Sequence, residues 1–213
     1  KRSSWFCKKL LWKKERLILS ILMKSSKEII ADSIKAKEAL LQSETILNEL
    51  ERIVSHIENG LQNKQQLFLC GNGGSAADAL HIAAEFSGRF YIDRRALPVE
   101  ALHVNMAAIT AISNDYGFEN VFSRMLESKA KTGDMLWVLT TSGKSQNIIN
   151  VVNKAKEMNV STIAFTGKED SVLDDLADFI IKIPSLVTPR IQEAQMLLGH
   201  IICELVEKKL FNE

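Results

Sequence analysis

"LFLCGNGGSAADALHIAAEF", residues 67–86, is three pieces in series: an apolar run to Cys70, a glycine turn, and an alanine-rich segment. A short apolar run bounded by glycines and followed by a helical pattern is the start of a strand–turn–helix unit. The helix is small-sided at Ala76, Ala77, Ala79, Ala83 and Ala84, so other backbones can approach it closely, and burial is expected. Yet it carries Asp78, His81 and Glu85. His81 and Glu85 stand four residues apart and so share one helix face. A buried carboxylate without a partner is costly, so Glu85 should face a cation, a metal or a substrate.

Outward from this unit the same grammar repeats. Strands are expected at 66–70, 98–104, 135–140, 161–166 and 179–183, and helices at 75–88, 106–113, 118–131, 145–158, 171–177 and 189–211. Short apolar strands alternating with amphipathic helices indicate an α/β fold, a doubly wound five-stranded parallel sheet covered on both faces. The expected order is the flavodoxin-like 2-1-3-4-5. Before the first strand, residues 24–63 repeat apolar positions at three- and four-residue spacing, giving an N-terminal helical extension. Ser43 and Glu44 would open its second helix, and Gly60 would mark that helix's end. Two long helices ahead of the sheet suggest packing against another subunit.

The chain has 213 residues, 46% apolar and 25% charged, with a net charge of +1. These values suit one soluble domain, here residues 23–213, and give no overall reason to expect nucleic acid or membrane. The average hides one uneven stretch: residues 1–22 hold seven Lys/Arg and one Glu. With Trp5, Phe6, Leu10 and Leu11 opposite lysines, the stretch could be a membrane-surface helix. The plainer reading is a non-native extension ahead of Met23. No apolar run is long enough to span a bilayer. Cys7, Cys70 and Cys203 are scattered and without metal spacing, which fits reduced thiols in a cytoplasmic protein.

Two loops are aimed at one place. Gly71 to Ser75, "GNGGS", joins a strand to a helix N-terminus, where free N–H groups favour anions. Its spacing fits a loose dinucleotide fingerprint, but Asn105 stands where an acid should hold the ribose. Thr140 to Asn147, "TTSGKSQN", contains a tempting "GKS". A nucleotide P-loop would need glycine at Val138, so that reading fails. What remains is four hydroxyls, Thr140, Thr141, Ser142 and Ser145, around Gly143 at a helix start. Capping by Ser145 would account for one of them; a bound phosphate would use all four. In the expected sheet order the first and third strands adjoin, and ligands bind at their carboxyl ends. Both loops lie there, so a small phosphorylated ligand is expected between them.

The last helix offers partners for the helix face at 81 and 85. "RIQEAQMLLGH" places Gln192, Glu193 and His200 on it, with His200 in an apolar stretch. Singly, each has an ordinary explanation as a core histidine or a surface pair. Together, His81, Glu85, Gln192 and His200 could bind a zinc-like ion or divide acid–base work on a sugar.

"CGNGGSAADALHIAAEFSGR", "AISNDYGF", "TTSGKS" and "RIQE…H", in that order, resemble the phosphoheptose (sedoheptulose 7-phosphate) isomerases of the sugar isomerase, or SIS, domain family. The resemblance covers about residues 30–211. It implies an aldose–ketose isomerase that makes D-glycero-D-manno-heptose 7-phosphate through an enediol, for the heptose of bacterial surface polysaccharide. It also implies a homotetramer with active sites at subunit interfaces and one Zn2+ per subunit. Carried over motif by motif, Asn72, Gly73, Gly74, Asn114 and Asp115 would touch substrate, as would Glu85 and Gln192, and Thr140, Thr141, Ser142 and Ser145 would hold its phosphate. His81, Glu85, Gln192 and His200 would be metal ligands, and Glu85 and His200 the acid–base pair. The chain departs from many members in reading Gln195 for a histidine and Thr140 for a serine. The alternatives are a non-catalytic SIS protein, either a phosphosugar-binding regulator or a replication-initiator adaptor, and an isomerase of another sugar phosphate, such as arabinose 5-phosphate. Retention of Glu85 and His200 favours catalysis.

Overall fold

The computed structural model describes residues 24–211. The basic stretch 1–22 and both readings of it lie outside the described residues. Two helices come first, α1 (Ser26–Leu41) and α2 (Glu44–Gln62). Ser25 and Glu28 cap α1 reciprocally, satisfying N–H groups that the first turn leaves unpaired. Ser43 opens α2 as expected, accepting the Ile46 N–H. Gly60 does not end it: the helix runs to Gln62, and Gly60 is where the Met135 side chain packs against the backbone. The chain turns at Lys64 instead, which takes a φ of 61°.

The sheet follows: β1 (Leu67–Gly71), β2 (Val99–Ala101), β3 (Met135–Leu139), β4 (Ser161–Thr166) and β5 (Phe179–Lys182). Its order is β2-β1-β3-β4-β5 and every pairing is parallel. The order and the parallel sense are those read from the sequence. β2 is shorter than the expected 98–104, because the chain bends away after Ala101. Between the strands run α3 (Gly74–Ser87), α4 (Met106–Tyr116), α5 (Val121–Glu127), α6 (Gln146–Glu157) and α7 (Leu173–Leu176). The long α8 (Thr188–Phe211) closes the described chain, with Pro189 in its first turn, where the missing N–H costs nothing. The helix expected at 118–131 is broken into a 3-10 turn, Phe118–Asn120, and α5.

Alternate residues of each strand feed two cores. Leu67, Leu69, Trp137, Leu139, Ile163 and Phe165 pack with α2, α3 and α8 on one face. Phe68, Cys70, Leu136, Val138 and Ala164 pack with α5 and α6 on the other. Both Cys70 and Cys203 are free and buried, and burial pushes both thiols up, so they remain protonated. Among the described residues, no helix is long and apolar enough to cross a membrane.

The register that matters most pairs Gly71 with Leu139. It sets the carboxyl ends of β1 and β3 side by side, and the two candidate loops leave the sheet together. Gly71 is required there: a Cβ would collide with the Ser75 and Leu139 backbones.

Candidate active site

The loop after β3 is built around Thr140. Its buried hydroxyl accepts the Gly143 N–H at 3.2 Å, and Ser142 Oγ accepts the Lys144 N–H at 3.2 Å. Gly143 has a φ of 64°. A hydroxyl that accepts a backbone N–H still has its own proton to donate. Ser145 stands at the N-cap of α6 but makes no side-chain capping bond. Its hydroxyl, like that of Thr141, has no protein partner among the described residues. The capping explanation for Ser145 therefore fails, and four hydroxyl protons remain available beside a helix N-terminus.

The loop after β1 is tied to this one by an amide pair. Asn72 Nδ2 donates to Asn147 Oδ1 at 2.9 Å, and Asn147 Nδ2 returns a bond to Asn72 Oδ1 at 2.8 Å. Gly73 follows at φ 56°, ψ −121°, with nothing within 4 Å of where a Cβ would sit. The backbone conformation suits glycine alone. Gly73→Ala should therefore cost roughly 1–3 kcal/mol with no steric clash. A urea melt within 0.5 kcal/mol of the parent would contradict this.

The second half of the site lies further along α3. His81 Nε2 is 3.1 Å from Glu85 Oε1, and His200 Nε2 on α8 is 3.4 Å from His81 Nε2. The two imidazoles meet edge to face, 5.1 Å between centroids. One ligand atom from each of His81, Glu85 and His200 lies within 4.8 Å of the others. α3 and α8 thus bring together an acid and an imidazole that are 115 residues apart in the chain. The close α3–α8 approach is set at Gly199, where a Cβ would strike Ile82.

These groups are not buried as the alanine pattern suggested. Ala79, Ile82, Ala83 and Phe86 face the core, while His81 and Glu85 turn toward the surface of the chain. The His81 side chain is 51% exposed and that of Glu85 27%. Asp78, one turn earlier, has a buried oxygen without a partner, and burial raises its pKa against the opposing pull of His81.

Two imidazole nitrogens and a carboxylate oxygen converging on one point suit a divalent cation. The donor set fits zinc chemistry, and it fits any metal that takes nitrogen and oxygen ligands. The remaining expected ligand, Gln192, rests its amide on Gly74, seven residues and about 10 Å of helix before His81. Asn114 and Asp115 sit exposed in the last turn of α4 and bond each other at 2.8 Å. Their side chains make no hydrogen bond to either loop.

Three features escaped the sequence reading. Asn147 is buried at the start of α6, locking the two loops together. Gln195 is fully buried and donates to the carbonyls of Thr140 at 3.0 Å and Phe165 at 3.1 Å, anchoring the floor of the hydroxyl loop to α8. Beyond His200, Glu207 is buried against Arg94. A polar residue recurring on the apolar stripe Ile191, Ala194, Leu198, Ile202, Val206 was the available signal for the last two. Concavity alone would mislead: a groove of about 510 Å3 lies between α2 and β5, but its Arg52, Lys182 and Asp174 are already paired.

A family model for the SIS domain matches residues 24–167. A phosphoheptose isomerase of Clostridium acetobutylicum is 45% identical over 184 residues, which are 86% of this chain and 94% of that protein. One from Sulfurimonas denitrificans is 41% identical over 192 residues, 90% of this chain and 98% of that protein. Among solved structures, a phosphoheptose isomerase from Neisseria gonorrhoeae superposes with a TM-score of 0.80 at 34% identity. One from Francisella tularensis gives 0.82 at 29%, and in both cases 85% of this chain and 96% of the other are covered. Sequence, sheet order and the meeting of His81, Glu85 and His200 agree: the chain belongs to the phosphoheptose isomerases of the SIS-domain family, and is a sugar-phosphate isomerase.

Proposed function

We propose that this isomerase interconverts sedoheptulose 7-phosphate and D-glycero-D-manno-heptose 7-phosphate, in the cytoplasm, supplying heptose for surface polysaccharide. The observation that carries the reading is the convergence of Glu85 and His200 from two helices, in a chain 45% identical to a phosphoheptose isomerase. Ketose-to-aldose conversion removes a proton from C1, protonates O2 to give the enediol, removes the O1 proton and returns one to C2. No atom is lost and no oxidant is needed. Glu85 takes and returns the carbon-bound proton, since its Oε2 carries no hydrogen bond among the described residues. His200 serves the oxygens, because imidazole can both give and accept a proton near neutral pH.

The phosphate would sit on Thr140, Thr141, Ser142 and Ser145, with Asn72, Gly73 and Gly74 closing over the sugar. Gln192, Asn114 and Asp115 would contribute further polar contacts. His81, Glu85, Gln192 and His200 would hold a zinc ion, which supplies Lewis-acid stabilisation of developing oxygen charge when bound. Gln192 stands eight residues, about 12 Å of helix, before His200, so the Gln192 that joins them would come from another subunit.

The site would be shared between subunits of a tetramer. Gly74 and Glu85 are separated by about 16 Å of helix, whereas a heptose spans roughly 9 Å from C2 to phosphorus. One chain's phosphate loop therefore serves another chain's acid–base pair more readily than its own. Ile29, Ile30, Ile34 and Leu41 on α1, with Leu80 on α3 and Leu197 on α8, leave apolar surface for such packing.

The testing experiment offers a panel of ketose phosphates, arabinose-series sugars included, and follows conversion and C1/C2 proton exchange in D2O by NMR. Conversion of sedoheptulose 7-phosphate above the others is expected; binding of sugar phosphates without exchange would favour the regulator reading. Ser145→Ala should raise KM about tenfold. Because Ser145 caps nothing, thermal stability should stay within about 0.5 kcal/mol. A drop in stability with KM unchanged would return Ser145 to a structural role.

A further inference from the structure

We propose that Arg94 and Glu207 are positioning residues that fix the register of α3 against α8, and so the meeting of Glu85 with His200; this rests on the reading of those two groups given above. The Glu207 carboxylate accepts the backbone N–H groups of Phe90, Tyr91 and Ile92 at 3.1, 2.7 and 3.0 Å, and Arg94 Nε at 2.8 Å. Both side chains are only 2% exposed. The guanidinium then reaches back to the end of α3. Its Nη2 donates to the carbonyl of Glu85 itself at 3.0 Å, and its Nη1 to those of Phe86 at 2.8 Å and Gly88 at 3.2 Å. Those carbonyls belong to the last turn of a helix, which lacks intrahelical partners and favours a cation.

The clamp therefore grips the turn that carries Glu85 and ties it to α8, seven residues beyond His200. Apart from the edge contact of His81 with His200 and the Gln192 amide on Gly74, the α3–α8 contact is Ile82 on Gly199 with Ala83, Phe86, Leu198 and Ile202 around it. Such packing is non-directional and leaves axial sliding and rotation weakly restrained. A buried ion pair is a poor source of net stability compared with apolar side chains of like volume. Its directional bonds to four carbonyls and three N–H groups, at the end of α3 and in the loop after it, instead specify a single alignment. A misplacement of about 1 Å between reacting groups costs on the order of 100-fold in rate. The hydroxyl loop lies at the other end of α3 and is anchored separately through Gln195.

Arg94→Lys keeps the charge and loses the fork; Glu207→Gln keeps acceptor geometry on one side and loses the charge. In each, assayed well below its melting temperature, kcat should fall at least tenfold while KM stays within about threefold. Cobalt(II) affinity, read from its visible absorption, should also fall at least tenfold, since His81, Glu85 and His200 would no longer converge. Variants that lose stability yet keep kcat and cobalt affinity within twofold would overturn the proposal, as would failure of both to fold. A wild type inactive on every sugar phosphate would defeat the proposed reaction alone; the cobalt comparison would still decide the clamp. A wild type that neither turns over nor binds cobalt would remove both.

Discussion

Glu85→Gln is expected to lower turnover by a factor of 100 or more while leaving the sugar phosphate bound. The substitution is nearly isosteric and keeps an oxygen for His81, so the α3–α8 packing should survive. What it removes is basicity: an amide cannot take the carbon-bound proton, and a positioned general base contributes roughly 10²–10⁴-fold. Binding should hold because the hydroxyls of Thr140 to Ser145 lie at the far end of α3. Two readouts separate loss of the base from loss of a metal ligand. Deuterium exchange at C1 should fall with kcat, and saturating zinc should not restore it. A kcat within about threefold of the parent would remove Glu85 from the role. Recovery on adding metal would make it a ligand only.

The local parts of this arrangement were legible because their signals are local. The run from Leu67 to Phe86 is a strand, a glycine turn and a helix by periodicity alone, and the structure places their ends within a residue or so of the expected positions. The neighbouring of the two loops followed from a topological rule, and the Gly71–Leu139 register realises it. The alanines of α3 were only half understood. Small side chains do permit close approach, and at Ile82 the neighbour is Gly199; but Ala77 and Ala84 lie on the outward face with His81. In a single chain that face meets solvent, and a neighbouring subunit is our proposed occupant. The meeting of His200 with His81 and Glu85 depends on how α8 crosses α3, which no spacing in the sequence encodes; the family resemblance supplied it.

Two of the three features that escaped bond mainly to backbone groups; the third, Asn147, bonds the Asn72 side chain. Gln195 grips two carbonyls, and Arg94 and Glu207 grip four carbonyls and three N–H groups. Backbone groups are present at every residue and leave no mark in composition. Gly60 misled for a similar reason: glycine signals either a stop or a close approach, and here the Met135 side chain needed the space. Ser145 shows the opposite error avoided, a residue type made for capping whose hydroxyl caps nothing.

Glu207→Ala is expected to destabilise the fold by about 3–5 kcal/mol, a large share of a domain's total stability. The alanine would strand the N–H groups of Phe90, Tyr91 and Ile92 and leave the Arg94 guanidinium buried without its counter-charge. Arg94 retains its carbonyl partners, so the loss should fall short of removing every bond the cluster makes. The pH dependence carries the same signature. Burial pushes the Glu207 pKa up, but the three N–H groups and Arg94 outweigh it and hold the folded-state value below the ordinary 4.5. A carboxylate depressed in the folded state stabilises fully above its unfolded pKa, and that contribution is lost as pH falls through the folded one. The parent should therefore lose stability between neutral pH and the acid side of 4.5 more steeply than Glu207→Ala, so the gap between them narrows on acidification. Urea melts at pH 7 and pH 4 would measure it. A gap of equal size at both values, or a variant as stable as the parent at pH 7, would show that the carboxylate's charge is not what holds this end of α8.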